Sequence, residues 1–331
     1  MQQRSGEAAL TAAARAQCDV LTPAQLRAHG VAESTARHRC RPGGPWQRPL
    51  PRTVVLHSGP LSWEQRCWAA VLYGEVRGRA ALTGRTALAL HRLTAVPAPE
   101  NLRRVNILVP RAAKTQTRRA GWSGGEVVVH RTRRMPPRVR MNAGLPVAPL
   151  ARAVADAVSG GEPGGGPGPE AAVYEAVQAR GVAPAAIAAE LREGRRAAPG
   201  WLREALADLG AGVRSPAESR ARRALTAAGL PLALWNVRLH LDGQWLADPD
   251  AYWPRAGVLL EVDSVAHHTS QDGWERTMAR HNRIEAVGLK VLHASPRQLR
   301  TDPGAVVAAV RQALAGGPYG PWARVTVRPP R

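Results

Sequence analysis

The sequence contains no phenylalanine and only three cysteines among its 331 residues. The cysteines are odd in number and widely spaced, and no CxxC pair occurs, so neither a disulfide framework nor a zinc site follows from Cys18, Cys40 and Cys67. No stretch approaches the roughly 18 apolar residues of a transmembrane helix. The first residues also lack the apolar core of a signal peptide. These absences predict a protein of a reducing, cytoplasmic compartment with no membrane partner.

Lysine is almost absent, because the 46 basic residues comprise two lysines and 44 arginines. The formal net charge of +21 predicts a polyanionic partner, although excess arginine is also typical of a GC-rich genome. The charge is uneven: residues 1–158 hold 25 basic and 8 acidic residues, residues 159–210 hold 5 and 7, and residues 211–331 hold 16 and 10. Codon bias would spread arginine evenly, so the N-terminal excess predicts a surface that binds DNA.

A run of glycine and proline divides the chain. Residues 159–169 include the sequence GGEPGGGPGP, which has no hydrophobic periodicity and predicts a flexible linker. The run contains no Gly-Lys-Ser or Gly-Lys-Thr, so a phosphate-binding loop does not follow. After the linker we expect a helical connector at 170–210, a domain at 211–315 and a flexible tail at 316–331.

Residues 1–60 have the pattern of a winged-helix domain. Thr22 and Pro23 begin a short helix that ends at Gly30, and a second short helix follows from Ala32. The segments 46–48 and 53–56 are then expected to form the two strands of the wing. Two short helices around a tight turn are typical of DNA-binding domains, but also of other small helical domains. If the second helix reads a groove, its DNA-contacting residues are Ser34, Thr35, Arg37 and Arg39.

Residues 61–158 predict a mixed α/β region with strands at 105–109 and 126–130. Seven arginines flank these strands, and they could contact phosphates or form a solvated basic face; they are Arg118, Arg119, Arg131, Arg133, Arg134, Arg138 and Arg140. Together with the LTPAQL and GPWQR segments near residues 21 and 44, the N-terminal half resembles the winged-helix domain of abortive-infection type IV antitoxins. That resemblance implies DNA binding and a cognate toxin as a protein partner.

The last third predicts the element order α-β-β-β-α-β-α. A helix begins at Ser215 and ends at Gly229, and the Asp242-Gly243 pair predicts a two-residue hairpin turn. The expected strands lie at 232–241, 244–252, 257–263 and 289–294, and the later helices at 274–287 and 303–314.

Carboxylates converge on one face of this predicted sheet. Alternation places Leu259, Glu261 and Asp263 on the same face of the third strand, and Asp248 and Asp250 share a face of the strand before it. Clustered carboxylates repel one another unless they take up a proton or bind a cation. Mg²⁺ (or Mn²⁺) prefers oxygen ligands and can activate water against a phosphodiester.

Other polar residues could support that site. Glu218 completes a capping box with Ser215, or it joins the carboxylates from the helix. His268 could transfer a proton, or it could be an ordinary loop histidine. A basic stripe on the following helix could clamp phosphate or simply be solvated, and it consists of Arg276, Arg280 and Arg283.

This arrangement resembles a domain family of unknown function that is allied to the very-short-patch repair endonucleases, within the PD-(D/E)XK superfamily. The motifs are SPAE at 215–218, DPDAYWP at 248–254, EVDS at 261–264 with His268, and GLKVL at 288–292. The resemblance implies a restriction-endonuclease-like core. It also implies roles for five residues: Asp250 and Glu261 as metal ligands, Asp263 as a ligand or its helper, Glu218 as the helix acid and His268 as the polar partner.

The sequence departs from that family where catalysis would be decided. Asp263 stands where many such nucleases have a lysine, Ser264 replaces a glycine, and Thr277 and His281 occupy the positions expected for acids in the next helix. Two hypotheses follow. The first is a repair-type, metal-dependent DNA endonuclease, and the second is a winged-helix transcriptional regulator or type IV antitoxin with a degenerate, non-catalytic nuclease fold.

Overall fold

The chain is a mixed α/β protein that divides into two compact units, Met1–Ala198 and Pro199–Arg331. The computed structural model describes residues 2–75, 79–113, 119–122, 125–159, 169–210, 212–262, 280–317 and 324–328. The division falls inside the predicted connector, and the predicted glycine-rich linker lies almost wholly outside the described residues. Within the described part of the chain, every helix is too short or too polar to cross a membrane.

The first unit begins with three helices around a two-residue strand: α1 (Gln2–Ala16), β1 (Val20–Leu21), α2 (Pro23–Ala28) and α3 (Glu33–Arg39). Thr22 caps α2 as predicted, because its Oγ1 accepts from the Gln25 N–H at 3.2 Å and Gln25 Oε1 accepts from the Thr22 N–H at 2.8 Å. Leu26 and Ala36 pack in one apolar cluster with Leu21. Ala36 is the only buried residue of α3, so the rest of that helix faces solvent.

The predicted wing forms only in part. Strand β2 (Val54–Val55) pairs antiparallel with β1, and Gln47 adds a single antiparallel bridge to Val55. Pro49 and Pro51 follow Gln47 in the chain and have no N–H to extend a ladder. The segment 46–48 therefore makes one bridge instead of a strand.

A six-stranded sheet forms the rest of the first unit, with the strand order β5-β6-β4-β3-β8-β7. Its parallel pair β4·β6 confirms the strands predicted at 105–109 and 126–130. The chain runs through α4 (Trp63–Gly74), β3 (Ala81–Leu82), α5 (Gly84–Leu90), a 3₁₀ turn (Pro99–Asn101), β4 (Arg104–Pro110), β5 (Arg119–Trp122), β6 (Gly125–Thr132), β7 (Arg140–Asn142), β8 (Leu145–Val147), α6 (Leu150–Ser159), α7 (Pro169–Gln178) and α8 (Pro184–Glu193).

A buried ion network fixes α6 in this unit. Asp156, whose side chain is fully buried, accepts hydrogen bonds from Arg152 Nε at 2.9 and 3.1 Å and from Thr83 Oγ1 at 2.5 Å. Arg196 pairs with the same carboxylate. Both oxygens of Asp156 are therefore occupied by partners from within the unit.

The second unit contains a four-stranded and a three-stranded sheet, ordered β14-β13-β12-β9 and β11-β10-β15. Its helices and strands are α9 (Gly200–Gly210), α10 (Pro216–Ala227), β9 (Leu234–Trp235), β10 (Arg238–Leu241), β11 (Gln244–Ala247), β12 (Ala251–Trp253), β13 (Val258–Val262), α11 (helical residues 280–286), β14 (Lys290–Ala294), α12 (Gln298–Thr301), α13 (Pro303–Gly316) and β15 (Val325–Arg328).

Two predicted strands are each divided between the two sheets. The segment 232–241 breaks at Asn236, which has a left-handed backbone with φ of +54°, and 244–252 breaks at Pro249. The Asp242-Gly243 turn is confirmed, with positive φ at both residues. The tail predicted to be flexible instead contains β15, which pairs with β10.

The two faces of the four-stranded sheet pack against different helices. Val258 and Leu260 pack with Leu225 of α10, while Leu259 packs on the other face with Ile284 of α11. Alternation places Glu261 on the face of Leu259, as predicted. That face is the one covered by α11.

Candidate metal centre

Three side chains that can donate to a metal meet at the end of β13. Glu261 lies on β13, and His293 is its direct partner on the parallel strand β14, so the two side chains leave the same face. His281 lies one turn before the buried Ile284 on α11, which places it over the same face. One ligand atom from each residue lies within 4.8 Å of the other two.

The geometry of this Glu261–His281–His293 cluster leaves two buried atoms without hydrogen-bond partners among the described residues, Glu261 Oε1 and His281 Nε2. The Glu261 side chain is 7% exposed, and its Oε2 accepts from Arg280 Nη2 at 2.7 Å and lies 3.8 Å from His281 Nε2. The two imidazole centroids are 4.6 Å apart. A buried polar atom without a partner costs about 1–3 kcal/mol, so the cluster favours a ligand that supplies the missing interaction.

One carboxylate and two imidazoles form a donor set for a divalent metal ion. Catalytic zinc sites commonly use three such ligands and keep further positions for water or substrate. Imidazole also suits iron, nickel and copper, whereas Mg²⁺ favours oxygen ligands. The cluster can therefore hold a metal, but its donors differ from the all-carboxylate site expected from the sequence.

The two aspartates of the neighbouring segment make hydrogen bonds within the second unit. Asp250 follows the break between β11 and β12, and its Oδ2 accepts from the Val262 N–H at 2.6 Å. Asp248 is exposed and accepts from Trp245 Nε1 at 2.9 Å and Arg238 Nε at 3.3 Å. The three-donor cluster found among the described residues does not include Asp250, whose hydrogen bond ties two strands together. The role of Asp250 as a metal ligand stays a prediction.

Glu218 acts at the start of α10, on the opposite face of the sheet from the cluster. The Glu218 N–H donates to Ser215 Oγ at 3.1 Å, and Glu218 Oε2 accepts from the Arg214 N–H at 2.8 Å and from Asn236 Nδ2 at 2.6 Å. Ser215 therefore caps α10 as predicted, but the capping box is only half formed, because the Glu218 carboxylate accepts from the Arg214 N–H and not from the Ser215 N–H. The same Asn236 carries the left-handed backbone that divides the first strand.

The remaining predicted residues of this unit are only partly described. Asp263, His268 and Arg276 lie outside the described residues. Arg283 is exposed, whereas Arg280 bonds Glu261 and is 29% exposed at its side chain. Arg280 and Arg283 thus do not form one solvated stripe, because helix α11 turns Arg280 towards the sheet.

Sequence reasoning missed both histidines of the cluster, although signals existed. His281 was noted only as a replacement at a position where the resembling family has an acid, which is itself a position expected near the metal. His293 sits in a strand that follows α11 and pairs in parallel with β13. Its register with Glu261 depends on strand pairing, which cannot be predicted from the local sequence.

The N-terminal candidates for DNA contact are placed on an open surface. Ser34, Thr35, Arg37 and Arg39 are all exposed on α3. Arg37 pairs with Glu33 at 3.1 Å, and the Arg39 guanidinium lies 4.7 Å from the centre of the Trp46 ring. These contacts orient two arginines without burying them.

The seven strand-flanking arginines have different surroundings. Arg134 forms ion pairs with Glu190 and Glu193. Arg131, Arg133, Arg138 and Arg140 are exposed. Arg118 and the side chain of Arg119 lie outside the described residues.

Comparisons of the chain with protein-family models, with curated proteins and with solved structures find no match. Both resemblances stated from the sequence therefore stay predictions. The function has to be inferred from the geometry of the chain itself.

Proposed function

We propose that this protein binds DNA through its first unit and hydrolyses DNA phosphodiester bonds, with a divalent metal ion held by Glu261, His281 and His293. The observation that carries the proposal is the pair of buried metal-ligand atoms, Glu261 Oε1 and His281 Nε2, that have no hydrogen-bond partner among the described residues and belong to a cluster whose ligand atoms lie within 4.8 Å of one another. The resemblance to a restriction-endonuclease-like core supports it, because Glu261 ends a central strand in the position the resemblance gives to a metal ligand. The basic first unit supports DNA as the substrate.

The donor set indicates which metal to expect. Two of the three ligands are imidazoles, which favour transition-metal ions over Mg²⁺. We therefore expect Mn²⁺ or Zn²⁺ to bind more tightly than Mg²⁺. A metal held there supplies a Lewis acid for a phosphoryl oxygen and lowers the pKa of bound water.

Arg280 would then serve the substrate. Its guanidinium now neutralises Glu261 Oε2 at 2.7 Å. A dication bound to the same carboxylate would repel the guanidinium, and the side chain is partly exposed and can turn towards solvent. Arg280 can then pair with the phosphate whose ester bond is broken, since guanidinium matches phosphate geometry.

The Arg280 contact also favours a second function. If Arg280 remains the permanent partner of Glu261, the carboxylate is neutralised by an ion pair and needs no metal. The chain would then be a winged-helix regulator or antitoxin that binds DNA and carries a nuclease-like unit without activity. A protein partner such as a toxin would be expected in that case.

Cleavage of DNA tests the proposal. Supercoiled plasmid, a mismatched duplex and single-stranded DNA would be incubated with the protein and Mn²⁺, Zn²⁺ or Mg²⁺. Glu261→Gln should lower the rate by at least about 100-fold, because even residues that only support metal ligands contribute roughly 10- to 100-fold. Glu285→Gln is the matched control, since Glu285 is an exposed carboxylate on α11, the helix that carries His281.

Metal binding is measured separately by calorimetry on the metal-free protein. Binding together with cleavage supports the proposal. Binding of Mn²⁺ or Zn²⁺ without cleavage of any substrate would support the metal centre but contradict the nuclease activity. Neither binding nor cleavage would favour the permanent ion pair and the regulator.

A further inference from the structure

A concave surface of the first unit is lined by arginine. It is a groove of about 890 Å³ between the end of α5, the β7–β8 hairpin and the segment after α7. Four exposed arginines line it, and none of the described lining residues is acidic; the arginines are Arg92, Arg138, Arg140 and Arg180. Within the described part of the chain, no carboxylate forms an ion pair with any of the four.

Hydrogen bonds hold the walls of this arginine groove in place. Asn142 Nδ2 of the hairpin donates to the Leu90 carbonyl at 2.7 Å, and His91 Nε2 contacts the Ala148 carbonyl at 2.9 Å. The Arg180 guanidinium donates to the Arg92 carbonyl. The groove is therefore built by contacts between separate parts of the chain and does not depend on a ligand to form.

The positive field of the arginines reaches the floor of the groove. Burial is the main cause that lowers the pKa of His91, and the charges of Arg140 and Arg180 lower it further. The surface thus attracts anions with the guanidinium groups of its rim.

The form of the groove suits an extended polyanion better than a small phosphate. Its basic groups are exposed and spread along an open surface, and none is buried to enclose a single anion. Exposed Val139 and Met141 of the hairpin also line a second depression, of about 450 Å³, together with Gln25 of α2. The hairpin therefore lines both the arginine groove and a depression that reaches α2.

We propose that the arginine groove binds the phosphate backbone of duplex DNA as a second contact, in addition to helix α3. The inference rests on the proposed DNA binding, but it assigns residues that a helix-pair contact alone does not involve. Arg138 and Arg140 bind phosphates from the hairpin, and Arg92 and Arg180 bind from the opposite wall. Such contacts carry no base specificity and make binding depend steeply on salt.

Fluorescence anisotropy with a labelled 30-base-pair duplex, titrated at several salt concentrations, tests this assignment. The metal is omitted so that cleavage plays no part. The Arg138→Gln/Arg140→Gln variant should weaken binding and reduce the slope of log K against log salt by about 1.8, because each phosphate contact contributes roughly 0.9. Arg192→Gln/Arg195→Gln is the control, since both arginines are exposed in the same unit outside the groove.

A variant of helix α3, Arg37→Gln/Arg39→Gln, distinguishes the proposed DNA binding of the first unit from the additional contact of the arginine groove. If it weakens binding while the groove variant keeps the slope of the unchanged protein, the groove is not a DNA site. If the unchanged protein does not bind DNA, both the proposed function and the groove assignment fail. If the groove variant binds DNA normally but loses an acidic protein partner, the groove serves that partner instead.

Discussion

Each of the two units buries a carboxylate among cations, and the two carboxylates differ in one respect. Asp156 in the first unit has partners for both oxygens, from Arg152, Arg196 and Thr83. Glu261 in the second unit has Arg280 on Oε2 and no hydrogen-bond partner for Oε1 among the described residues. Burial and an arginine partner are common to both, so neither marks a functional site. The unsatisfied oxygen is the feature that separates a candidate centre from a structural ion network.

The largest expected effect comes from breaking the satisfied network. Asp156→Asn should lower the free energy of unfolding of the first unit by about 3 kcal/mol, because it removes the carboxylate bonded to Arg152 Nε and leaves the buried guanidinium with Glu190, 3.8 Å from its Nη1, as its ion-pair partner among the described residues. Urea unfolding monitored by tryptophan fluorescence measures it. Glu261→Gln should change stability much less, since its partner Arg280 can reach solvent. Equal losses in the two variants would show that both carboxylates are structural.

A smaller effect is expected from Arg280. Arg280→Gln removes a positive charge next to Glu261 and should tighten Mn²⁺ binding by roughly fivefold, or about 1 kcal/mol, a value that allows for solvent screening of a partly exposed group. Calorimetry on the metal-free protein measures the change. Arg283→Gln, on the exposed side of the same helix, should leave affinity unchanged. Weaker metal binding in the Arg280 variant would mean that the guanidinium supports the site.

The smallest effect concerns His91, a half-buried histidine whose Nε2 is hydrogen-bonded to the Ala148 carbonyl. Because its pKa is lowered in the folded state, the unfolded chain binds the proton more readily. The stability that His91 contributes is therefore present above pH 6.5, the ordinary value, and is lost as the pH falls from there through the lowered pKa. Between pH 7.5 and about pH 5, the midpoint temperature of thermal unfolding should fall less steeply for His91→Gln than for the unchanged protein. An unchanged pH profile would show that His91 is not coupled to folding.

Elements that depend on local sequence could be predicted. The caps at Thr22 and Ser215, the Asp242-Gly243 turn and the alternation of Leu259 and Glu261 all follow from residues close together in the chain. Each of these features needs only the backbone preferences of a few neighbouring residues. The prediction of Glu261 as a site residue also depends on local alternation, and Glu261 belongs to the candidate metal centre.

Features that depend on pairing between distant segments were missed. The division of two strands between two sheets follows from the left-handed Asn236 and from Pro249, and β15 pairs with a strand more than 80 positions earlier. His281 and His293 reach Glu261 only after α11 docks and β14 takes its register. Spacing alone could not give that register, so the sequence predicted carboxylate ligands and did not predict the two histidines that the fold brings next to Glu261.

The pairing of β15 with β10 has a consequence for self-association. In the three-stranded sheet β10 lies between β11 and β15, so both of its hydrogen-bonding sides are occupied. A chain shortened before Val325 would present the backbone N–H and C=O groups of β10 as an open edge. Such an edge is a template for strands of other molecules. β15 is itself the edge strand of this sheet, but it carries the charged Arg328 and its residues are mostly exposed, whereas Leu239 and His240 of β10 are buried. Removal of β15 would therefore replace a polar edge by an apolar one, and shortened versions should precipitate at concentrations where the full chain stays dispersed.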